Sequence, residues 1–388
     1  MVAQQTRPSD MARGPDGQGG GAGASLSDQL FNETSIGDLA REYSVLPRFD
    51  AERFVSDTVG GLAGRGLLER LDWIATCVEA QMPRDFPAMV EALRAAMPPR
   101  LDPSLTDDDF GRFIHAVPGI LAVRHGLEDH RDLALDLLHD ATQRFSMEFY
   151  IRPFLNRWPE ETLARLHLWA EDENYHVRRL VSEGTRPRLP WAANISIDPL
   201  EPLGLLDKLH ADNARFVTRS VANHLNDLSK IAPDAVTGRL SDWAAQGRQS
   251  AKELDWMTRH ALRTAVKRGE PRALALLGFD PDVNVKVGLT LAHDQVRIGD
   301  ALQFDVDLSG PANSKLMVDY RVRFHRPTGR TGEKVFKLGQ AAKTPVTLSK
   351  SHPIKANAST FTWHEGPHQL IIQVNGRDVA KSEFQVRA

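Results

Sequence analysis

The chain holds a single cysteine, Cys77, in 388 residues. That excludes an internal disulfide, an iron–sulfur cluster and any cysteine-based zinc site; Cys77, following Trp73-Ile74-Ala75, reads as an ordinary half-buried helix residue. No apolar run approaches the roughly 20 residues of a membrane span, and the N-terminus has no apolar segment of the kind a secretory leader needs. The expectation is a cytoplasmic, nucleoid-associated protein, monomeric, with no membrane and no obligate protein partner. Excess positive charge is missing too: the net charge is −3. That balance hides an asymmetry. From Pro281 onward there are 15 Lys and Arg against 10 Asp and Glu, a balance of +5, which leaves −8 for the rest. Any polyanion would have to be held by local patches rather than by net charge.

The length is too great for one ordinary core. Residues 1–25 are rich in Gly, Ala, Gln and Ser and read as a disordered tail. Residues 26–279 carry helical periodicity, as in Leu133-Ala-Leu-Asp-Leu-Leu, broken at Pro, Gly and Asp. Beyond Phe279-Asp-Pro-Asp-Val283, taken as a linker between separate cores, apolar residues alternate with period two. Examples are Leu302-Gln-Phe-Asp-Val-Asp-Leu and Leu316-Met-Val-Asp-Tyr-Arg-Val-Arg-Phe. Turn signals at Ser309-Gly310-Pro311, Thr328-Gly329-Arg330 and Asn375-Gly376 separate the runs. Residues 280–388 are thus expected to form an immunoglobulin-like β-sandwich of about seven strands.

The helical part repeats itself. Val177-Arg-Arg-Leu-Val-Ser-Glu183, Val217-Thr-Arg-Ser-Val-Ala-Asn223 and Met257-Thr-Arg-His-Ala-Leu-Arg263 align without gaps at a period of 40. Each follows an acidic turn and an apolar helix, the pattern of a HEAT-like α-solenoid. Arg179, Arg219 and Arg259 fall in register, and their structural role would be to tie a repeat to its neighbour's turn carboxylate. Register also places Glu148, Glu183, Asn223 and Arg263 on equivalent rungs, with Asp227 one turn beyond Asn223. Carboxylates then stand beside Arg144, Arg178, Arg186, Arg188, Lys267 and Arg268, with the aromatic face of Trp191 close by. Acids inside a basic groove repel phosphate. They suit a ligand with a positive centre, or a reaction that develops one. The competing roles are a structural ion pair for Glu183 and Asp227 and inter-repeat core for Trp191.

Four runs carry a resemblance: Phe149-Tyr-Ile-Arg-Pro-Phe154, Val177 to Trp191, Ser220 to Lys230 and Arg259 to Thr264. Over residues 26–278 the chain resembles the HEAT-like-repeat alkylation-repair DNA glycosylases, in the AlkC branch, to which the shorter AlkD is related. The resemblance implies that Glu148, Glu183 and Asp227 are catalytic and that Trp191 contacts base or sugar. It implies double-stranded alkylated DNA as the partner; the residues expected to grip that DNA are Arg152, Arg178, Arg186, Arg188, Asn223, Arg263 and Lys267. Arg321 and Arg323, on one face of a β-strand, would add a clamp on phosphates. The implied reaction is hydrolysis of the N-glycosidic bond of cationic bases: 3-methyladenine, 3-methylcytosine and, at the outer limit, 7-methylguanine. It requires no metal or cofactor. Two other functions compete. One is a catalytically inert repeat scaffold binding DNA or protein. The other is a metal hydroxylase built on Glu173-Asn-Tyr-His176, whose only companion spacing, Glu365-Gly-Pro-His368, lies in the β region.

Overall fold

The computed structural model describes residues 25–388 except 108, 328, 330–331, 357 and 359–360. The expected disordered tail therefore lies outside the described residues, apart from Ser25, and so do two residues of the turn at 328–330. Contacts divide the chain into two compact units, residues 1–227 and 228–388.

The first unit is helical. Its elements are α1 (Leu26–Leu30), α2 (Glu33–Tyr43), α3 (Ala51–Gly60), α4 (Leu67–Glu79), α5 (Phe86–Ala96), α6 (Val117–Gly126), α7 (Arg131–Thr142), α8 (Ile151–Arg157), α9 (Pro159–Trp169), α10 (Tyr175–Gly184), α11 (Leu203–Leu209) and α12 (Arg215–Leu228), whose last residue crosses the division. Starts are written locally: Asn32, Asp50, Asp85 and Asn174 accept hydrogen bonds from the first-turn backbone of α2, α3, α5 and α10. Apolar stripes such as Ile74 and Val78, Val90 and Leu93, and Leu180 and Val181 are fully buried. Helices approach closely where side chains are absent. A Cβ on Gly119 would meet the Tyr150 ring at 2.3 Å, and one on Gly184 would meet Ile151 at 2.5 Å. The aligned segments at 177–183 and 217–223 fall within α10 and α12. Two stretches expected to be helical are not, in their described residues: 97–112 and 185–202. Pro187 and Pro190 remove the backbone donors a helix would need there.

The second unit begins with α13 (Pro233–Gln246), α14 (Ala251–Lys267) and α15 (Pro271–Leu276). Eight strands follow among the described residues. A three-stranded sheet, ordered β1-β3-β6, contains β1 (Lys286–Leu291), β3 (Ala301–Ser309) and β6 (Val346–Pro353). A five-stranded sheet, ordered β2-β8-β7-β4-β5, contains β2 (Gln295–Arg297), β8 (Arg377–Arg387), β7 (Gly366–Val374), β4 (Leu316–Phe324) and β5 (Gly332–Ala341). Alternation sets the faces: Leu302, Phe304, Val306 and Leu308 of β3 and Leu316, Val318, Tyr320, Val322 and Phe324 of β4 share one core. Tyr320 stands opposite Phe336 and Ile372, and β2 pairs with β8 in parallel. Asn375 (φ 46°) and Gly376 (φ 81°) turn the β7–β8 hairpin.

The junction at 279–283 is not a loose linker. Phe279 is fully buried with the Lys315 ammonium 4.6 Å from its ring centre, and the Asp280 carbonyl accepts a 2.7 Å hydrogen bond from Asn375. A Cβ on Gly269 would lie 2.5 Å from the Gly376 carbonyl oxygen. The short helices α13–α15 thus share a unit with the sandwich. The change of periodicity marks where strands begin rather than where packing divides.

Candidate active site

In the first unit a cleft of about 310 Å³ opens among Phe110, Phe149, Phe216, His176 and Leu189, with Glu148, Glu183, Arg179, Arg186 and Trp191 around it. Glu148, Arg179, Glu183 and Arg186 line it, and Asp227 joins their hydrogen-bond network through Arg186. Glu148 sits in the turn leading into α8, not on a helix as the repeat register implied. Arg179 and Glu183 stand four residues apart on α10, one above the other. Asp227 ends the same face of α12 that carries Ser220 and Asn223.

Hydrogen bonds connect them. Arg179 donates to the Glu148 carboxylate at 2.8 Å and to the Ser146 hydroxyl at 3.0 Å. Its guanidinium lies 4.3 Å from the centre of the Phe216 ring. Ser146 donates a second bond to Glu148 at 2.7 Å. Arg186 donates to both Glu183 and, at 2.9 Å, Asp227. The Ser220 hydroxyl donates to the other Glu183 oxygen at 2.5 Å. Burial alone would raise the Glu183 pKa. The charges of Arg179 and Arg186 and the Ser220 hydrogen bond outweigh it and hold the group well below the usual carboxylate range. Glu183 is therefore a fixed anion at neutral pH, not a proton donor. Burial would lower the Arg186 pKa, but Glu183 and then Asp227 hold it above its ordinary value. In this cluster three carboxylates face two guanidiniums.

Trp191 stands at the cleft edge with 57% of its surface exposed. The inter-repeat core role for it is thereby overturned. Its φ is 64°, a left-handed conformation that costs a non-glycine residue about 1–3 kcal/mol and persists only where neighbours impose it. Arg152 supplies that constraint. Buried to 1% exposure, it donates to the carbonyls of Gly184 (3.0 Å), Arg186 (2.8 Å) and Ala193, bracketing the Trp191 loop. Burial, and then the charge of Arg186, push its pKa down to about 10.

Several residues assigned to DNA contact have other work. Arg152 is the internal brace just described, so it offers no surface to a phosphate. Arg178 donates to Asp212 at 2.9 Å and to the backbone carbonyls of Asp172 and Glu173. It is Arg178, not Arg179, that ties one helix pair to the next pair's turn carboxylate. Of the aligned arginines, Arg219 pairs with Asp107 at 2.6 Å and Arg259 with Asp255 on its own helix. Arg144 donates to the carbonyls of Pro98 and Asp140. In the second unit Arg321 pairs with Asp378 and Arg323 with Glu333, each at 2.5 Å, and Arg323 also meets Gln369. Their shared face exists as expected, but carboxylates on β5 and β8 already neutralise it. Arg188 and Lys267 are exposed, and Asn223 is half-buried on α12. Arg263 donates to the His260 carbonyl and lines, with Lys267, Lys337 and Asp319, a second cavity of about 420 Å³.

Nothing in the sequence marks Ser146 and Ser220 as members of the cluster: Ser146 donates to Glu148 two residues on and accepts from Arg179, and Ser220 reaches Glu183 on another helix. The spacing Glu173-Asn-Tyr-His176 suggests His176 only as a metal ligand beside Glu173. Here Glu173 is exposed while His176 is buried, and no group of three or more His, Cys, Asp or Glu suited to a metal occurs among the described residues.

A carboxylate-lined cleft in a helical unit, followed in the chain by an immunoglobulin-like sandwich, defines the class: an AlkC-like fold. Residues 286–388 match the family model described as "Uncharacterised protein YhaZ, C-terminal Ig-like domain". The chain is 31% identical over 370 residues to the uncharacterized protein YhaZ of Bacillus subtilis (strain 168), covering 92% of this chain and 98% of that protein. The solved Pseudomonas fluorescens alkylpurine DNA glycosylase AlkC, bound to DNA containing an abasic site analog, superimposes with a TM-score of 0.79. It is 32% identical, over 94% of this chain and all of that one. The chain belongs to the AlkC branch of the helical alkylation-repair glycosylase family, together with YhaZ.

Proposed function

We propose that this protein is a DNA N-glycosylase that excises cationic N-alkylated bases, 3-methyladenine and 3-methylcytosine first and 7-methylguanine at the limit of its range. The observation that carries this reading is the set of three carboxylates, Glu148, Glu183 and Asp227, clamped by Arg179 and Arg186 beside the exposed ring of Trp191.

The chemistry follows from charge. Methylation at a ring nitrogen makes the base cationic and weakens its glycosidic bond, so departure needs no proton from the protein. As the bond stretches, positive charge builds on the deoxyribose ring. Preorganised anions stabilise that charge without reorganising, the largest single contribution in many enzymes. Glu183, held ionised by its arginines, supplies such a charge. Asp227 on α12, held by Arg186 from the loop after α10, and Glu148 supply the others, and the Glu148 oxygen that does not meet Arg179 orients the attacking water. Trp191 presents its π face to the cationic base or the sugar. The charged groups that meet phosphates are then exposed ones such as Arg188 and Lys267.

The test is incubation with methylated duplex DNA in EDTA, followed by chromatography of released bases. Release of 3-methyladenine supports the reading. No release of any methylated base, with DNA binding intact, supports an inert scaffold instead.

A further inference from the structure

The ring of Trp191 is largely exposed, so its place at the cleft edge is set by its backbone rather than by packing. That backbone is left-handed and must be held from outside. The loop between α10 and α11 that carries it makes a turn of its own, with Ala192 donating to the Leu189 carbonyl at 3.2 Å. The rest of the hold comes from α8. Arg152 and Asn156 stand four residues apart on that helix, one above the other. Arg152 takes the carbonyls of Gly184, Arg186 and Ala193, and Asn156 continues the row. Its amide nitrogen donates to the Asn194 carbonyl at 2.9 Å. Its oxygen accepts from the Ser196 N–H at 2.8 Å and from the Ser196 hydroxyl at 3.2 Å. The loop is thus pinned to one helix on both sides of Trp191. Asn156 is exposed, so water would satisfy its amide equally well. What its bonds to the loop fix is the course of residues 194–196.

We propose that Asn156 is a positioning residue for base excision: together with Arg152 it clamps the loop that presents Trp191 to the cleft. The proposal rests on the glycosylase reading above. A group that acts on the reacting sugar or base contributes only while it is in place, and a misplacement of about 1 Å can cost about 100-fold in rate. Without Asn156 the chain beyond Trp191 is held by Arg152 at Ala193 alone. The left-handed residue can then relax, and the rate falls with the fraction of molecules whose loop is competent. The charge centre is spared. Arg152 still holds the Arg186 carbonyl, and the Arg186 side chain still meets Glu183 and Asp227. Loss of Asn156 therefore acts through the Trp191 ring and not through the carboxylates.

The experiment compares wild type, Asn156→Ala, Trp191→Ala and the double variant in single-turnover release of 3-methyladenine from methylated duplex DNA. Trypsin cleavage after the exposed Arg188, read by mass spectrometry, reports the loop itself. Asn156→Ala is expected to release base at least about 5-fold more slowly with melting unchanged, and to be cut after Arg188 at least about 5-fold faster. In the Trp191→Ala background the same change is expected to alter release by less than about twofold, because the ring it positions is gone. Release by Asn156→Ala within about twofold of wild type overturns the proposal. So does an unchanged cleavage rate, and so does an undiminished loss in the Trp191→Ala background, the mark of a merely structural role. Should Trp191→Ala release no measurable base, the cleavage rates decide. A wild-type protein that releases no base refutes the glycosylase reading itself, whereas normal release that is indifferent to Asn156 refutes this inference alone.

Discussion

Replacing Glu183 by Gln tests the charge cluster through stability as well as activity. The carboxylate is 5% exposed; it meets Arg186, lies 3.8 Å from Arg179 and accepts from Ser220. Gln keeps the shape and one acceptor but leaves two buried guanidiniums short of a counter-charge. Removing one member of a buried ion pair costs about 3–5 kcal/mol. Because Arg186 retains Asp227, the lower end, about 3 kcal/mol, is expected. The lowered folded pKa of Glu183 fixes the pH dependence. Its contribution is fully present above the unfolded carboxylate's value, roughly 4.3, and is lost as pH falls from there toward the folded value. Urea unfolding of wild type and variant at pH 7, 5 and 3 should show curves about 3 kcal/mol apart at the two higher values and converging at the lowest. A gap below 1 kcal/mol at pH 7, or one independent of pH, would refute the argument that this carboxylate is held ionised by its arginines. The same variant should release 3-methyladenine at least about 100-fold more slowly.

Asp227→Asn should lower base release by about 100-fold or more while duplex affinity, measured by anisotropy, stays within a few-fold; full activity would remove Asp227 from the site. Trp191→Gly should leave urea stability unchanged or raise it by about 1 kcal/mol, because glycine relieves the left-handed strain, yet slow base release; a stability loss would show that the ring is packed rather than presented. Arg188→Ala should reduce the slope of log affinity against log salt by about 0.9. The double variant Arg321→Ala/Arg323→Ala should leave that slope unchanged, since those charges are already paired; the reverse ranking would restore the β-sheet clamp.

The repeat register was the strongest signal in the sequence. It brought Glu183 and Asp227 to adjacent helices because equal spacing along stacked helices means adjacency in space. It misplaced Glu148, which sits in a turn, since register says nothing about where a helix starts. Arginine roles were not legible. Arg152 and Arg178 have the same local pattern whether they face solvent or reach across to carbonyls, and only the packed chain decides. Glu183 is a buried ion-pair partner, the structural role the sequence allowed, and it also lines the cleft, so the ion pairing does not remove it from the site. The helix-to-strand change near Val283 was readable from periodicity, but the division of packing after Asp227 was not, because Phe279 looks the same in a linker as in a core.

Arg186 joins carboxylates from two helices with one side chain, and this limits how the site can evolve. A change at Glu183, Asp227 or Arg186 alone strands a buried charge, so viable lineages must alter these positions in concert or leave them alone. The aromatic walls at Phe110, Phe149 and Trp191 carry no such debt to their neighbours. Diversification of what the cleft accepts is therefore channelled to the walls, while the charge centre drifts as one unit.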